Sequence, residues 1–164
     1  MCLLSMDTKQ HKVTASVWLK PIWHTDPPVI SINLGLEEIY QGELSHDQMF
    51  LIDRTVNTGP SWLSVVFHNK LPEDTVVEKN LDKAVIIDRV AFNGIESPDF
   101  VWQGLYTPVY HTEWYKQQIS QGITPDKILK YHNYLGWNGE WRLAFSVPIF
   151  TWIHQIQNLG WIYD

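Results

Sequence analysis

The stretch 134-YLGWNGEWRLAFSVPIFTWIHQIQNLGWIYD-164 decides how the rest of the chain is read. Asn138-Gly139 lies between apolar runs, and Asn-Gly is the strongest short-range hairpin signal because both central residues of a type I′ turn need positive φ. A hairpin turn is therefore predicted there. Beyond it, Trp141, Leu143, Phe145 and Val147 alternate with Glu140, Arg142, Ala144 and Ser146. That period of two describes a half-buried antiparallel strand. The segment stays aromatic and apolar through Leu159-Gly-Trp-Ile-Tyr163, which predicts a terminus packed into the fold and completing its core.

Working outward, the same period recurs. Val13, Ala15, Val17 and Leu19 alternate with polar or interfacial neighbours up to Pro21, and Val29 to Leu34 alternates again. Further strands are expected at Glu37–Gly42, Gln48–Asp53, Ser61–His68, Ala84–Phe92 and Phe100–Val109. Turn residues separate them: Asp26-Pro-Pro28, Asn57-Thr-Gly-Pro60 and Asn93-Gly94, the last of type I′ composition. Residues 69–83 read as a solvated polar loop. One helix is expected over 112–121, capped by Thr112 and ended by Gly122, with a second helical turn after Thr124-Pro125. Many short strands punctuated by turns, without βαβ alternation, predict an all-β fold. The expected architecture is one antiparallel β-sandwich, jelly-roll-like, over residues 12–164, with residues 1–11 a flexible N-terminus and one or two short helices near 112–130.

Charge narrows the function classes. Net charge is −6 and no two of the 12 Lys and Arg residues are adjacent, which opposes binding to a nucleic-acid backbone. The single Cys2 excludes an intrachain disulfide framework. The opening residues lack the basic n-region of a secretory signal, and no apolar run reaches 18 residues, so neither a leader nor a membrane span is expected. A chain of this length buries about 70% of its unfolded surface, enough for a core built by packing alone.

Candidate chemistry is sparse. The histidines at 11, 24, 46, 68, 111, 132 and 154 form no His-x-His or His-x-x-x-His pair, so no metal site or other cofactor is expected. Asp82, Asp88, Glu96 and Asp99, with Asn80 and Asn93, are the candidates for an oxygen-only calcium cluster, but lack Asp-x-Asp-x-Asp spacing. Glu113 beside Trp114 and Glu140 between Trp137 and Trp141 are the carboxylates an enzyme acting on glycans would use. No nucleophile elbow, phosphate loop or His-Glu-x-x-His motif occurs, and the chain is expected not to be an enzyme. The aromatic excess is the main signal. Trp102, Tyr106, Trp114 and Trp137 lie near turns or the expected helix and are the candidates for an exposed binding platform. Trp141 and Trp152, on apolar segments, are expected in the core.

The segments Asp82–Ile95, Tyr134–Phe145 and Pro148–Tyr163 resemble small proteins encoded by contractile-tailed marine bacteriophages, including those of cyanobacteria, over residues 12–164. The strand-and-turn pattern, mainly over 84–95, is more loosely similar to carbohydrate-binding-module sandwiches. The first resemblance implies a non-enzymatic virion component, made in a host cytoplasm: a capsid decoration, tail or baseplate accessory that docks on other virion proteins, with homo-oligomers a further option. The second implies the alternative, a lectin-like module that recognises host surface carbohydrate through exposed aromatics.

Overall fold

Alternation along the strands becomes two sheets facing each other. The computed structural model describes residues 9–157. Strand β1 (Gln10–Ile22) sends Val13, Ala15, Val17 and Leu19 inward, all fully buried. It is the centre of one antiparallel sheet, pairing with β4 (Gln48–Asn57) on one side and β6 (Ala84–Phe92) on the other. Two short strands, β7 (Ile95–Glu96) and β10 (Tyr134–Leu135), add to β6. The second sheet runs β3 (Glu37–Glu43), β2 (Val29–Leu34), β5 (Gly59–Phe67), β11 (Asn138–Val147), β8 (Leu105–Val109) and β9 (Leu129–Lys130). All pairings are antiparallel. The fold is the expected all-β sandwich.

In β6 the inward set changes phase, from Val85 and Ile87 to Val90 and Phe92. The register against β1 shifts between Trp18 and Leu19, leaving Asp88 unmatched. Such a bulge inserts one residue and so flips the alternation. At this end of the sandwich two helices close the core. Helix α1 (Pro98–Gln103) starts at an Ser97 cap whose hydroxyl accepts from the Asp99 N–H at 3.3 Å, with Pro98 in the first turn. Helix α3 (Ile149–Ile156) buries Ile149, Trp152 and Ile153. Phe92, Phe100, Phe145 and Trp152 meet between them, with ring centroids 4.9–6.0 Å apart.

Several local expectations are corrected. The Asn138-Gly139 hairpin does not form, because β10 and β11 belong to different sheets and the dipeptide is the start of β11. Residues 100–103, the start of the strand expected at Phe100–Val109, are helix instead, since the Ser97-Pro98 cap starts a turn that Gly104 ends. The second helical turn near 126–130 is replaced by bends and by β9. Strand β1 begins at Gln10, within the segment expected to be flexible. Residues 69–83 form two 3₁₀ turns, Pro72–Asp74 and Val77–Lys79, and bury Lys70, Asp74 and Lys83 instead of exposing them. Asn93-Gly94 does form its turn, with φ of 49° and 81°. Helix α2 (Thr112–Ser120) forms, but Thr112 is its first residue rather than its cap: His111 holds the cap position, with no side-chain capping bond. The tail Leu159–Tyr163 lies outside the described residues. Among the described residues no helix is long and apolar enough to cross a membrane.

Candidate functional site

Opposite the aromatic end, the strands leave a cleft of about 830 Å³. Three segments wall it: the loop from Lys70 to Asp82, the chain leaving β8 into α2, and the crossing from β9 through β10 to Asn138. Helix α2 buries no side chain fully. It is held through Trp114, whose ring lies 4.6 Å from Trp137 and 5.2 Å from Tyr110. Tyr110 also meets Trp137 edge-on at 5.4 Å, and its hydroxyl donates to the Asp126 carbonyl at 2.7 Å. Offset and edge-to-face pairs of this kind are favourable beyond the area they bury.

Trp137 itself is fixed from below. Tyr106 is fully buried, because along β8 Leu105, Thr107 and Val109 face out and the residues between them face in. Its hydroxyl accepts from the Trp137 N–H at 3.0 Å and donates to the Trp137 carbonyl. Its ring stacks on His132 at 5.5 Å. Burial pushes the phenol well above its ordinary pKa, so it stays a donor. The next residue, Asn138, clamps the facing loop: its side chain accepts from the Lys70 N–H at 2.7 Å and donates to the Lys70 carbonyl at 3.0 Å.

The floor is polar and closely bonded. Lys70, with only 2% of its side chain exposed, donates to Asp82 Oδ1, to the Lys83 carbonyl at 2.7 Å and to the Gly136 carbonyl at 2.9 Å. Asp82 Oδ1 also accepts from Thr75 at 2.7 Å and the Lys83 N–H at 2.8 Å, while Oδ2 accepts from Tyr134 at 2.5 Å. Burial alone would raise the pKa of Asp82. Hydrogen bonds from Lys70, Tyr134 and Thr75, with the charge of Lys70, outweigh it and hold the carboxyl below 3.8. Tyr134 is pushed the other way, by burial and by the neighbouring carboxylate. Behind this floor, Lys83 donates to Asp26 at 2.7 Å and lies 3.4 Å from Asp74.

His111 stands 5.2 Å from Trp137, edge to face. Its Nε2 is enclosed without a hydrogen-bond partner among the described residues. Desolvation, helped by Lys70 and opposed by Asp74 and Glu73, lowers its pKa below 6.5 and keeps it neutral.

Of the four platform candidates, the structure brings Trp114 and Trp137 together in the cleft. Trp102 lies on α1, 42% exposed and outside the cleft lining. Tyr106 is not exposed but buried and bonded to the Trp137 backbone, a correction that follows from the inward phase of β8. Trp141 and Trp152 are core residues, as expected. Tyr110, Tyr134, Lys70 and Asp82 were not foreseen as one site; no spacing rule links them, since their meeting depends on strands of both sheets. Glu113 lines the cleft, whereas Glu140 is bound by Arg142 at 3.0 and 3.2 Å and lines a different, smaller pocket. The two carboxylates do not face one substrate. The calcium candidates are held by basic side chains: Asp88 and Glu96 share Arg89, Asp88 also pairs with Lys20, and Asp82 is bonded by Lys70. Among the described residues no three His, Cys, Asp or Glu side chains form a metal-binding group.

A bonded polar floor under paired aromatics thus lines a cleft at one end of the antiparallel β-sandwich. No protein-family model matches the chain, and no curated protein matches it. Solved structures that share the fold include vCBM60 in complex with galactobiose, at a TM-score of 0.50 and 14% identity over 79% of this chain and 96% of that one. The selenomethionine form of vCBM60, described with a circular permutation that links two families of calcium-dependent carbohydrate-binding modules, aligns at 0.51 and 15% over 80% and 89%. At these identities the likeness is one of fold alone.

Proposed function

We propose that the chain is a carbohydrate-binding domain and that its ligand lies in the cleft between α2 and the Lys70–Asp82 loop. The observation that carries this is the Trp114–Trp137 pair in one cleft with the Asp82 carboxylate, whose Oδ2 has a single donor, Tyr134, among the described residues. A sugar ring presents an apolar C–H face and a rim of hydroxyls, and a few placed polar groups within a mostly apolar pocket suit it. Trp114 and Trp137 serve the face. Asp82 Oδ2 and the Tyr134 hydroxyl serve the rim. The galactobiose held by a protein of the same fold supports the reading. It is tested by following Trp fluorescence while neutral oligosaccharides, galactobiose included, are titrated against the full chain. A saturable response lost in Trp137→Ala supports it, and a flat response across the panel overturns it.

A second reading is docking on another protein. It is favoured by Val77 and Val109, which line the same cleft yet are 82% and 62% exposed. The virion-accessory role implied by the sequence resemblance is one form of this reading. Co-purification with washed particles tests it, and a protein found only in the unbound fraction removes it.

A further inference from the structure

We propose that Lys70 and Lys83 are internal cations that order the walls of this cleft in place of a bound metal, so that ligand binding there needs no divalent ion. The ligand half of this proposal rests on the carbohydrate reading above; the lysine half stands on the bonding pattern alone.

A hard divalent cation such as calcium is held by carboxylates and backbone carbonyls, six to eight oxygens in all. The cleft floor offers the beginning of such a set: Asp82 Oδ1 with the carbonyls of Lys83 and Gly136. The Lys70 ammonium already occupies their centre and bonds all three. A second nest, made by Asp26 Oδ1, Asp74 Oδ2 and the Asn69 carbonyl, encloses the Lys83 ammonium at 2.7, 3.4 and 3.4 Å. Both lysine side chains are almost inaccessible, at 2% and 1%. Between them they tie together the turn at Asp26, the start and end of the Asn69–Lys83 loop, and Gly136, one residue before Trp137.

A metal ion cannot share these oxygens. At hydrogen-bond range from Lys70 it would meet a like charge in a partly desolvated setting, where screening by water is weak. Asp82 Oδ1, moreover, already takes donors from Lys70, Thr75 and the Lys83 backbone. Displacing Lys70 would leave a buried ammonium without its partners, which is strongly unfavourable. The carboxylate set therefore does not fit a divalent cation while both lysines are in place.

The test uses the full chain in two buffers, one with EDTA and one with millimolar calcium. Thermal unfolding is read first, with calcium alone as the probe. The proposal expects the same midpoint in both. A site of micromolar affinity would instead favour the folded state about 1,000-fold at that concentration, and such a calcium-dependent rise, lost in Asp82→Asn, overturns the proposal. The oligosaccharide titration is then run in both buffers, with Kd expected to agree within about twofold, well under 1 kcal/mol. Binding seen only with calcium overturns the proposal while leaving the carbohydrate reading standing. A flat titration in both buffers removes the carbohydrate reading, and the unfolding midpoints then decide the lysine half by themselves.

Discussion

The hydroxyl of Tyr106 grips Trp137 by both of its backbone polar groups, accepting from the N–H at 3.0 Å and donating to the carbonyl. The interior of β8 thereby sets the height and tilt of an aromatic wall in the cleft. In Tyr106→Phe the ring remains, but both backbone groups of Trp137 lose this partner in a buried setting. The expected cost is about 1–3 kcal/mol, read as a lower urea midpoint with unchanged slope. Oligosaccharide affinity should fall with it, although the phenol never touches the ligand. A variant with wild-type stability would show that the grip is dispensable.

The two half-buried indoles of the cleft should behave alike and unlike the exposed Trp102. Trp114→Ala and Trp137→Ala each remove a face of the pair, and truncation of a central aromatic typically weakens binding by about tenfold or more. Trp102→Ala, outside the cleft, should leave Kd unchanged while being equally easy to fold. Isothermal titration of the three variants decides the matter: if Trp102→Ala weakens binding as much as the others, the ligand is not in this cleft.

How much of this was legible in the sequence differs by element. Strands β1 and β11 were legible because alternation is a local property, and a one-residue slip would turn the whole apolar set outward. Helix α3 escaped, although Ile149, Trp152, Ile153 and Ile156 follow the i, i+3, i+4, i+7 pattern, because in only eight residues, with Phe150 also apolar, the period is ambiguous. Asn138-Gly139 misled for the opposite reason: the dipeptide signal is local, whereas the choice of sheet for β10 and β11 is not. Lys70 and Lys83 were invisible. A lysine in a polar stretch reads as solvated, and only their oxygen partners on Asp26, Asp74, Asp82 and Gly136 show otherwise. Trp114 and Trp137 were singled out by composition, but their contact with each other depends on where α2 lands.

Stability should depend on pH in two separate windows. His111 has a folded pKa below 6.5, so the unfolded chain binds its proton more readily. The contribution is complete above 6.5 and is lost as pH falls through that value toward the folded one. Asp82 has a folded pKa below 3.8, so its contribution is complete above 3.8 and is lost as pH falls further. Urea midpoints measured against pH should therefore lose their slope in the first window in His111→Gln and in the second in Asp82→Asn. A His111→Gln variant that keeps the upper slope would assign it to another group.

The two Asn-Gly pairs give a last, contrasting prediction. At Asn93-Gly94 the glycine has φ of 81° and nothing within 4 Å of an added Cβ, so Gly94→Ala meets only backbone strain, about 1–2 kcal/mol. At Asn138-Gly139 the glycine has φ of 141°, and an added Cβ would lie 2.2 Å from the Thr107 carbonyl oxygen and 3.0 Å from the Pro108 Cα. Both obstacles are backbone of the neighbouring strand, so relief requires parting β8 from β11. That movement would also displace Asn138 from Lys70 and Trp137 from Tyr106, both of which border the cleft. Gly139→Ala should therefore cost roughly 4 kcal/mol or more, in the range reserved for severe lesions, and abolish the fluorescence response to ligand. Equal destabilisation by the two substitutions would mean that Gly139 serves only a turn, and that the close approach of β8 to β11 does not shape the site.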